Sequence, residues 1–209
     1  MKKTMAFLLQ TTLILALAAC SAVSVETTNS PSTSQTSAGS EAVAVTVDTV
    51  PLSVSYSTED LSPVTDSSAT SLIKLEGDAI TFEGTGATVN GSVVTITAAG
   101  TYSVSGTLKD GQIVVNTEDE ATVTLVLNGA NITNSVSAPI YVKSADKVVV
   151  TLADGTQNIL TDGASHIFES TETDEPNAAI FSNDDLTING SGALTVNANY
   201  NNGIATDDD

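Results

Sequence analysis

The sequence predicts an all-β fold, a parallel β-helix in which short rungs of chain stack as a solenoid. Three observations carry this. One spacing occurs four times, an apolar residue, a hydroxyl two later and a carboxylate two after that: Val115-Thr117-Asp119, Val142-Ser144-Asp146, Ile180-Ser182-Asp184 and Ile204-Thr206-Asp208. Its anchors stand 27, 38 and 24 residues apart, and a strand-rich period in the twenties is what stacked rungs need. Next, runs of β-formers follow the corners, as in Val123, Leu125, Leu127 and in Val148, Val150, Leu152, and close on Asn128-Gly129, Asp154-Gly155 or Asn189-Gly190. Period-2 alternation puts those side chains on one face, and Gly and Asn tolerate the positive φ of a turn. Finally, no window outside the leader places apolar residues at i, i+3, i+4 and i+7, so a helix has no stripe to bury. A single rung cannot cover its own apolar face, and stacking solves this. An antiparallel sandwich also has many short strands with frequent turns, but gives no reason for one corner to return in one register.

Residues 1–19 read as a lipoprotein signal peptide. Lys2 and Lys3 precede an apolar stretch from Met5 to Ala18, too short to remain as a membrane span, which ends in the lipobox Leu17-Ala18-Ala19-Cys20. Cys20 is the single cysteine. A lipid on its thiol accounts for an unpaired cysteine in a secreted chain, and no disulfide can form within it; the other reading is an ordinary signal peptide with an incidental cysteine. Residues 20–53 are rich in Ser and Thr without a period and read as a flexible tether, with a reach of roughly 30 Å. Residues 54–209 are the folded part, the N-terminal portion of the β-helix domain. Tyr56 to Ser71 is polar and reads as a strap or a cap on the first rung. Strands begin at Ser71-Leu72-Ile73-Lys74-Leu75, and continue through Thr81-Phe82, Val93 to Ile96 and Thr101 to Gly106, with Asn90-Gly91 as a turn. The wide gap between anchors holds an insertion from about Gly163 to Pro176, with Glu169, Glu172, Asp174, Glu175 and the single histidine, His166. Such a loop reads either as part of a binding face or as a solvated acidic loop.

Charge narrows the partners. Six Lys and no Arg oppose 25 acids, for a formal charge of −19. That excludes nucleic acid, whose binding depends on cations neutralising phosphates. It also repels acidic polysaccharide unless a hard divalent cation intervenes. Calcium takes six to eight oxygen ligands, and stacked rungs bring Asp184 and Asp185 near Asp207 and Asp208, with adjacent strands about 4.8 Å apart. These four, with neutral oxygens from Asn177 and Asn202, are the expected calcium ligands. The alternative is that Asp and Asn only build turns and ladders.

No catalytic constellation is visible. One His and one Cys exclude a zinc site and a Cys–His nucleophile, and no Ser lies in a Gly-x-Ser-x-Gly elbow. The chain has no Trp. Tyr200, within Asn199-Tyr200-Asn201-Asn202-Gly203, is the aromatic best placed to meet a sugar ring, with Asn201 beside it.

At Asp174-Glu175-Pro176-Asn177-Ala178-Ala179-Ile180, Leu186-Thr187-Ile188-Asn189-Gly190-Ser191-Gly192 and Asn199-Tyr200-Asn201-Asn202-Gly203-Ile204 the chain resembles bacterial carbohydrate-binding domain-containing lipoproteins. The likeness runs from about Tyr56 to the end, through Gly100-Thr101-Tyr102 and Asp110-Gly111-Gln112-Ile113. It implies a right-handed parallel β-helix like that of polysaccharide lyases, bound calcium, and binding of cellulose or polygalacturonate without established catalysis. Members of the family continue for further rungs, so the resemblance also implies a fragment, truncated at its C-terminal end. The expected function is therefore non-catalytic, calcium-bearing binding of plant cell-wall polysaccharide, from a lipid anchor on Cys20 at the extracellular face of the bacterial membrane. Two rivals remain: a pectate-lyase-like enzyme whose base lies beyond residue 209, and a structural adhesin or spacer.

Overall fold

The computed structural model describes residues 55–207. The leader, Cys20, the tether to residue 53 and Asp208 lie outside the described residues. Every described residue belongs to one compact unit, Leu52–Asp209.

The described part opens with α1 (Thr58–Leu61) and a 3-10 turn (Asp66–Ser68), and then runs through fourteen strands. Helix α1 is only four residues long and depends on a capping box: the Asp60 amide donates to Ser57 Oγ, and the Ser57 amide donates to Asp60 Oδ2 at 2.7 Å. The strands are β1 (Ser71–Gly77), β2 (Ile80–Glu83), β3 (Ala87–Asn90), β4 (Val93–Ile96), β5 (Gly100–Leu108), β6 (Gln112–Asn116) and β7 (Val123–Thr133), followed by β8 (Ile140–Ser144), β9 (Lys147–Leu152), β10 (Gln157–Thr161), β11 (Ala178–Ser182), β12 (Asp185–Gly190), β13 (Ala193–Asn197) and β14 (Asn202–Thr206).

They form two sheets. The eight-stranded one runs β12-β9-β7-β5-β1-β2, with β10 and β13 branching from β7, and the six-stranded one runs β14-β11-β8-β6-β4-β3. Both are mixed, and this corrects the expectation of a right-handed parallel β-helix, a solenoid truncated at its C-terminal end. Parallel pairing holds from β4 and β5 onward, but β1–β2 and β3–β4 are antiparallel. The physical reason is loop length. Only Asp78-Ala79 separates β1 from β2, and only Gly91-Ser92 separates β3 from β4. Two residues suffice for a hairpin, whereas a parallel connection needs a longer crossover. The turn at Asn90-Gly91 is legible in the sequence and is the turn of the second hairpin.

Within the parallel region the rows are well matched. Val123 lies opposite Val148, Val148 opposite Leu186, Val115 opposite Val142 and Ile180 opposite Ile204. Ile180 pairs with Ile140, however, so the anchor Val142 faces Ser182, a slip of two positions. A two-residue slip keeps every side chain on its face because the strand period is two. Alternate residues from both sheets, among them Val104, Leu125, Val150, Ile113, Val142 and Ile180, bury a common apolar core. Tyr102 is buried there, its hydroxyl 2.8 Å from the Ala98 carbonyl and 3.0 Å from that of Gly86. At Gly106, φ is +97° and a Cβ would sit 2.4 Å from the Leu75 carbonyl oxygen, so only glycine lets β5 bend beside β1.

Residues 55–68 neither cap the first strands nor float free. They cross the outer face of the eight-stranded sheet, reaching Asn189 and Thr187 on β12, Lys147 on β9 and Ser103 on β5.

Candidate functional site

The insertion between β10 and β11 is pinned at both ends by one side chain. At its start Asp162 is buried, with its amide bonded to the Asn197 carbonyl. Gly163 follows, where a Cβ would stand 1.9 Å from the Ser135 carbonyl oxygen, so the loop leaves the strand through a gap that admits only glycine. His166 then turns back. Its Nε2 is 3.2 Å from Asp162 Oδ2 and its Nδ1 is 2.7 Å from the Pro176 carbonyl at the far end of the insertion, with both the His166 and Asp162 side chains 0 % exposed. Facing the carbonyl requires a proton on Nδ1. Nε2 and Oδ2 have no other hydrogen-bond partner, so a proton between them satisfies both. Asp162 is held in turn by Asn199, whose amide donates to Oδ1 and whose Nδ2 donates to the Asp162 carbonyl at 2.7 Å.

This arrangement ends in an aromatic shelf. The Tyr200 ring stacks on His166 with centroids 4.5 Å apart and planes 19° apart, and Phe168 meets Tyr200 edge-on at 6.0 Å. Tyr200 remains 39 % exposed. The loop is also tied laterally by the Ile167 amide to the Val136 carbonyl and by an ion pair between Lys143 and Glu169. Glu169 raises the Lys143 ammonium above its usual range. Nearby, Tyr141 packs edge-on against Phe181 at 6.0 Å, and burial, then the Glu169 charge, push its phenol up.

The expected calcium ligands are dispersed. Asp184 Oδ2 accepts the Ala145 amide at 2.9 Å, and Ser182 Oγ donates to the Asp184 carbonyl. Asp119 does the same two corners earlier, accepting the Ala99 amide at 2.7 Å. These carboxylates bond the backbone of the preceding level, which is turn chemistry. Asp185 is exposed at the start of β12, opposite Lys147. Asp207 is exposed, and its amide bonds the Ser182 carbonyl. Asn177 and Asn202 do come together, their side chains 3.3 Å apart. They lie before β11 and at the start of β14, however, whereas Asp184 and Asp207 follow those strands. Five residues of strand span roughly 16 Å, too far for one ion with ligands at about 2.4 Å. Among the described residues no three His, Cys, Asp or Glu side chains gather closely enough to hold a metal. Of the expected ligands, Asp184, Asp185, Asp207, Asn177 and Asn202 do not converge on one point, and Asp208 lies outside the described residues. Asn201 is exposed beside Tyr200.

Sequence reasoning singled out Tyr200 and noted His166 but missed Asp162, Asn199 and Phe168. The signal is Asp162-Gly163 with His166 four residues after the acid; Asp162 belongs to the end of the β10 run in the sequence and so does not stand out as part of the insertion.

Residues 90–209 match the family model described as carbohydrate-binding domain-containing protein. A carbohydrate-binding domain-containing protein of Acetivibrio thermocellus is 54 % identical over 124 residues, covering 59 % of this chain and 43 % of that protein. The chain thus spans less than half the length of that relative. Among solved structures, the polysaccharide lyase-like protein from C. thermocellum, as a gadolinium derivative, aligns with a TM-score of 0.63 at 49 % identity, covering 66 % of this chain and 56 % of that one. The family match begins at Asn90, so the strap and the β1–β2 hairpin precede it, while most of the β3–β4 hairpin, the insertion, His166 and Tyr200 fall within it: the chain belongs to the carbohydrate-binding domain-containing protein family.

Proposed function

We propose that this chain is a non-catalytic module that holds plant cell-wall polysaccharide, of the polygalacturonate or cellulose type, with Tyr200 as the ring that meets the sugar. The supporting observation is that the ring is braced before any ligand arrives. Its underside rests on His166, and His166 is fixed by Asp162 and the Pro176 carbonyl. An aromatic face offers apolar area to the axial hydrogens of a sugar, and a ring already immobilised loses little freedom on binding. Asn201 and Asn202, both exposed, follow it in the chain and carry amide donors and acceptors. Family membership supports the ligand class. Non-catalytic action is supported by the engagement of the single histidine, whose two nitrogens are buried in bracing the loop.

Two further parts of this reading rest on the sequence. Lys2, Lys3 and the Leu17-Ala18-Ala19-Cys20 lipobox support a lipid anchor on Cys20 and a place on the extracellular face of a bacterial membrane. Calcium enters through charge: a surface of −19 repels a polyuronate unless a hard cation bridges the two.

Isothermal titration of the protein with polygalacturonate and with soluble cellulose oligomers, in calcium and in chelator, tests the proposal. Wild type binds at least one polymer and Tyr200→Ala weakens that binding about tenfold, equivalent to about 1.4 kcal/mol. No binding to either polymer in either condition would discard it.

A further inference from the structure

The strap of residues 55–68 meets the outer face of the eight-stranded sheet in a one-sided way: in each polar side-chain contact between them, the sheet donates and the strap accepts. Lys147 Nζ lies 2.7 Å from Asp60 Oδ1 and donates to Ser57 Oγ at 3.2 Å. Thr187 Oγ1 donates to the same Asp60 oxygen. Asn189 Nδ2 donates to the carbonyls of Glu59 and Asp60, at 3.1 and 3.3 Å. Ser103 Oγ donates to Asp66 Oδ1. The direction at Asn189 is fixed from below, because Thr151 Oγ1 donates to its side-chain oxygen at 2.8 Å and so turns the NH2 group outward.

The strap itself has little else to hold it. None of its residues is buried, and its largest apolar side chains, Tyr56 and Leu61, are 66 % and 68 % exposed. An element bound by polar contacts and without buried apolar area belongs to the low-stability end of a fold. Beneath it lie Val126 and Val149, outward-facing between the donor rows and nearly inaccessible. The covered surface is therefore a shallow floor in which Val126 and Val149 alternate with Thr151 and Thr124, edged by an ammonium, two hydroxyls and an amide NH2, in a protein that is otherwise strongly acidic.

We infer that this sheet face is a second binding site, for a polymer bearing repeated carboxylates such as a polyuronate, and that the strap occupies it by placing Asp60 and Asp66 where the ligand's carboxylates lie. Asp60 sits over β9 and β12 and Asp66 over β5, two to three strands away, roughly 10–14 Å at the usual strand spacing. A single sugar acid cannot satisfy both positions; a polymer running across the strands can. Choosing a glycan as the polymer rests on the function proposed above, but the site does not involve Tyr200.

The test compares wild type with Asp60→Asn/Asp66→Asn, using polygalacturonate and its fully methyl-esterified form as probes. Glu118→Gln/Glu120→Gln, which removes two charges at exposed positions elsewhere, controls for net charge. The strap variant binds polygalacturonate at least tenfold more tightly than wild type, binds the ester no better, and loses its gain when Lys147→Gln is added; the charge control shows no gain. Equal affinity of a folded strap variant and wild type for polygalacturonate, or an equal gain with the ester or in the charge control, overturns the inference. Should the strap variant fail to fold, hydrogen exchange on wild type decides: saturating polygalacturonate speeds exchange of the Ser57 and Asp60 amides, and unchanged protection overturns the site. A Lys147-dependent gain alongside a Tyr200→Ala variant that binds like wild type would refute the Tyr200 reading alone.

Discussion

Lys147 and Asp60 form an ion pair at 2.7 Å whose side chains are only 16 % and 12 % exposed, joining β9 to a segment far upstream. The Lys147 ammonium, then the Thr187 hydroxyl and the Ser57 amide, hold the Asp60 carboxyl well below its ordinary value of 3.8. A carboxyl depressed in the folded state stabilises its surroundings above its unfolded value, and that contribution is lost as pH falls toward the folded one. Protection of the Ser57 amide should therefore hold from neutrality to about pH 4 and decline only below it. Asp60→Asn abolishes that pH dependence. Hydrogen exchange across the acid range measures both.

The brace under Tyr200 predicts that His166 matters to binding without touching sugar. His166→Ala removes the stacked ring and both contacts that tie the insertion, so the affinity for polysaccharide falls about as far as in Tyr200→Ala. Tyr200→Phe keeps the stack and most of the affinity. Titration of the three variants, with circular dichroism to confirm folding, separates a positioning role from general collapse.

Tyr102 is buried with its hydroxyl between two backbone carbonyls. Tyr102→Phe keeps the ring but removes a buried hydroxyl's bonds to both carbonyls; Gly86 still accepts the Thr97 amide at 2.7 Å, so the loss stays near about 1 kcal/mol. Urea unfolding reads this as a lower midpoint with an unchanged slope.

Gly106→Ala places a Cβ 2.4 Å from the Leu75 carbonyl oxygen at a φ of +97°. Both effects act together, and we expect a loss of about 2 kcal/mol or more, visible as a fall in thermal midpoint. Gly129→Ala is the contrast: φ is +75° but nothing lies within 4 Å, so the loss stays near 1 kcal/mol.

The all-β content and much of the pairing were legible because they follow from period-2 alternation. Val123, Val148 and Leu186 could be aligned from the sequence, and they are neighbours. Strand direction at the first two hairpins was not legible in the same way: it depends on counting two residues between strands, whereas the repeated corner drew attention to the later, parallel rows. The acids at those corners misled for a related reason. A carboxylate that caps the backbone amide of the preceding level, as Asp184 caps Ala145, has the same spacing in sequence as one that faces an ion. The Asp162–His166–Tyr200 arrangement was only partly visible, since contact between Asp162 and Asn199 depends on β10 lying beside β13.

The two hairpins have a bearing on solubility. β2 and β3 are the outermost strands of their sheets, four residues each, and β3 has no buried side chain. A strand this short offers a poor template for another molecule to zip onto. At that end the brevity of the edges works against edge-to-edge aggregation, and among the described residues no helix or proline covers them.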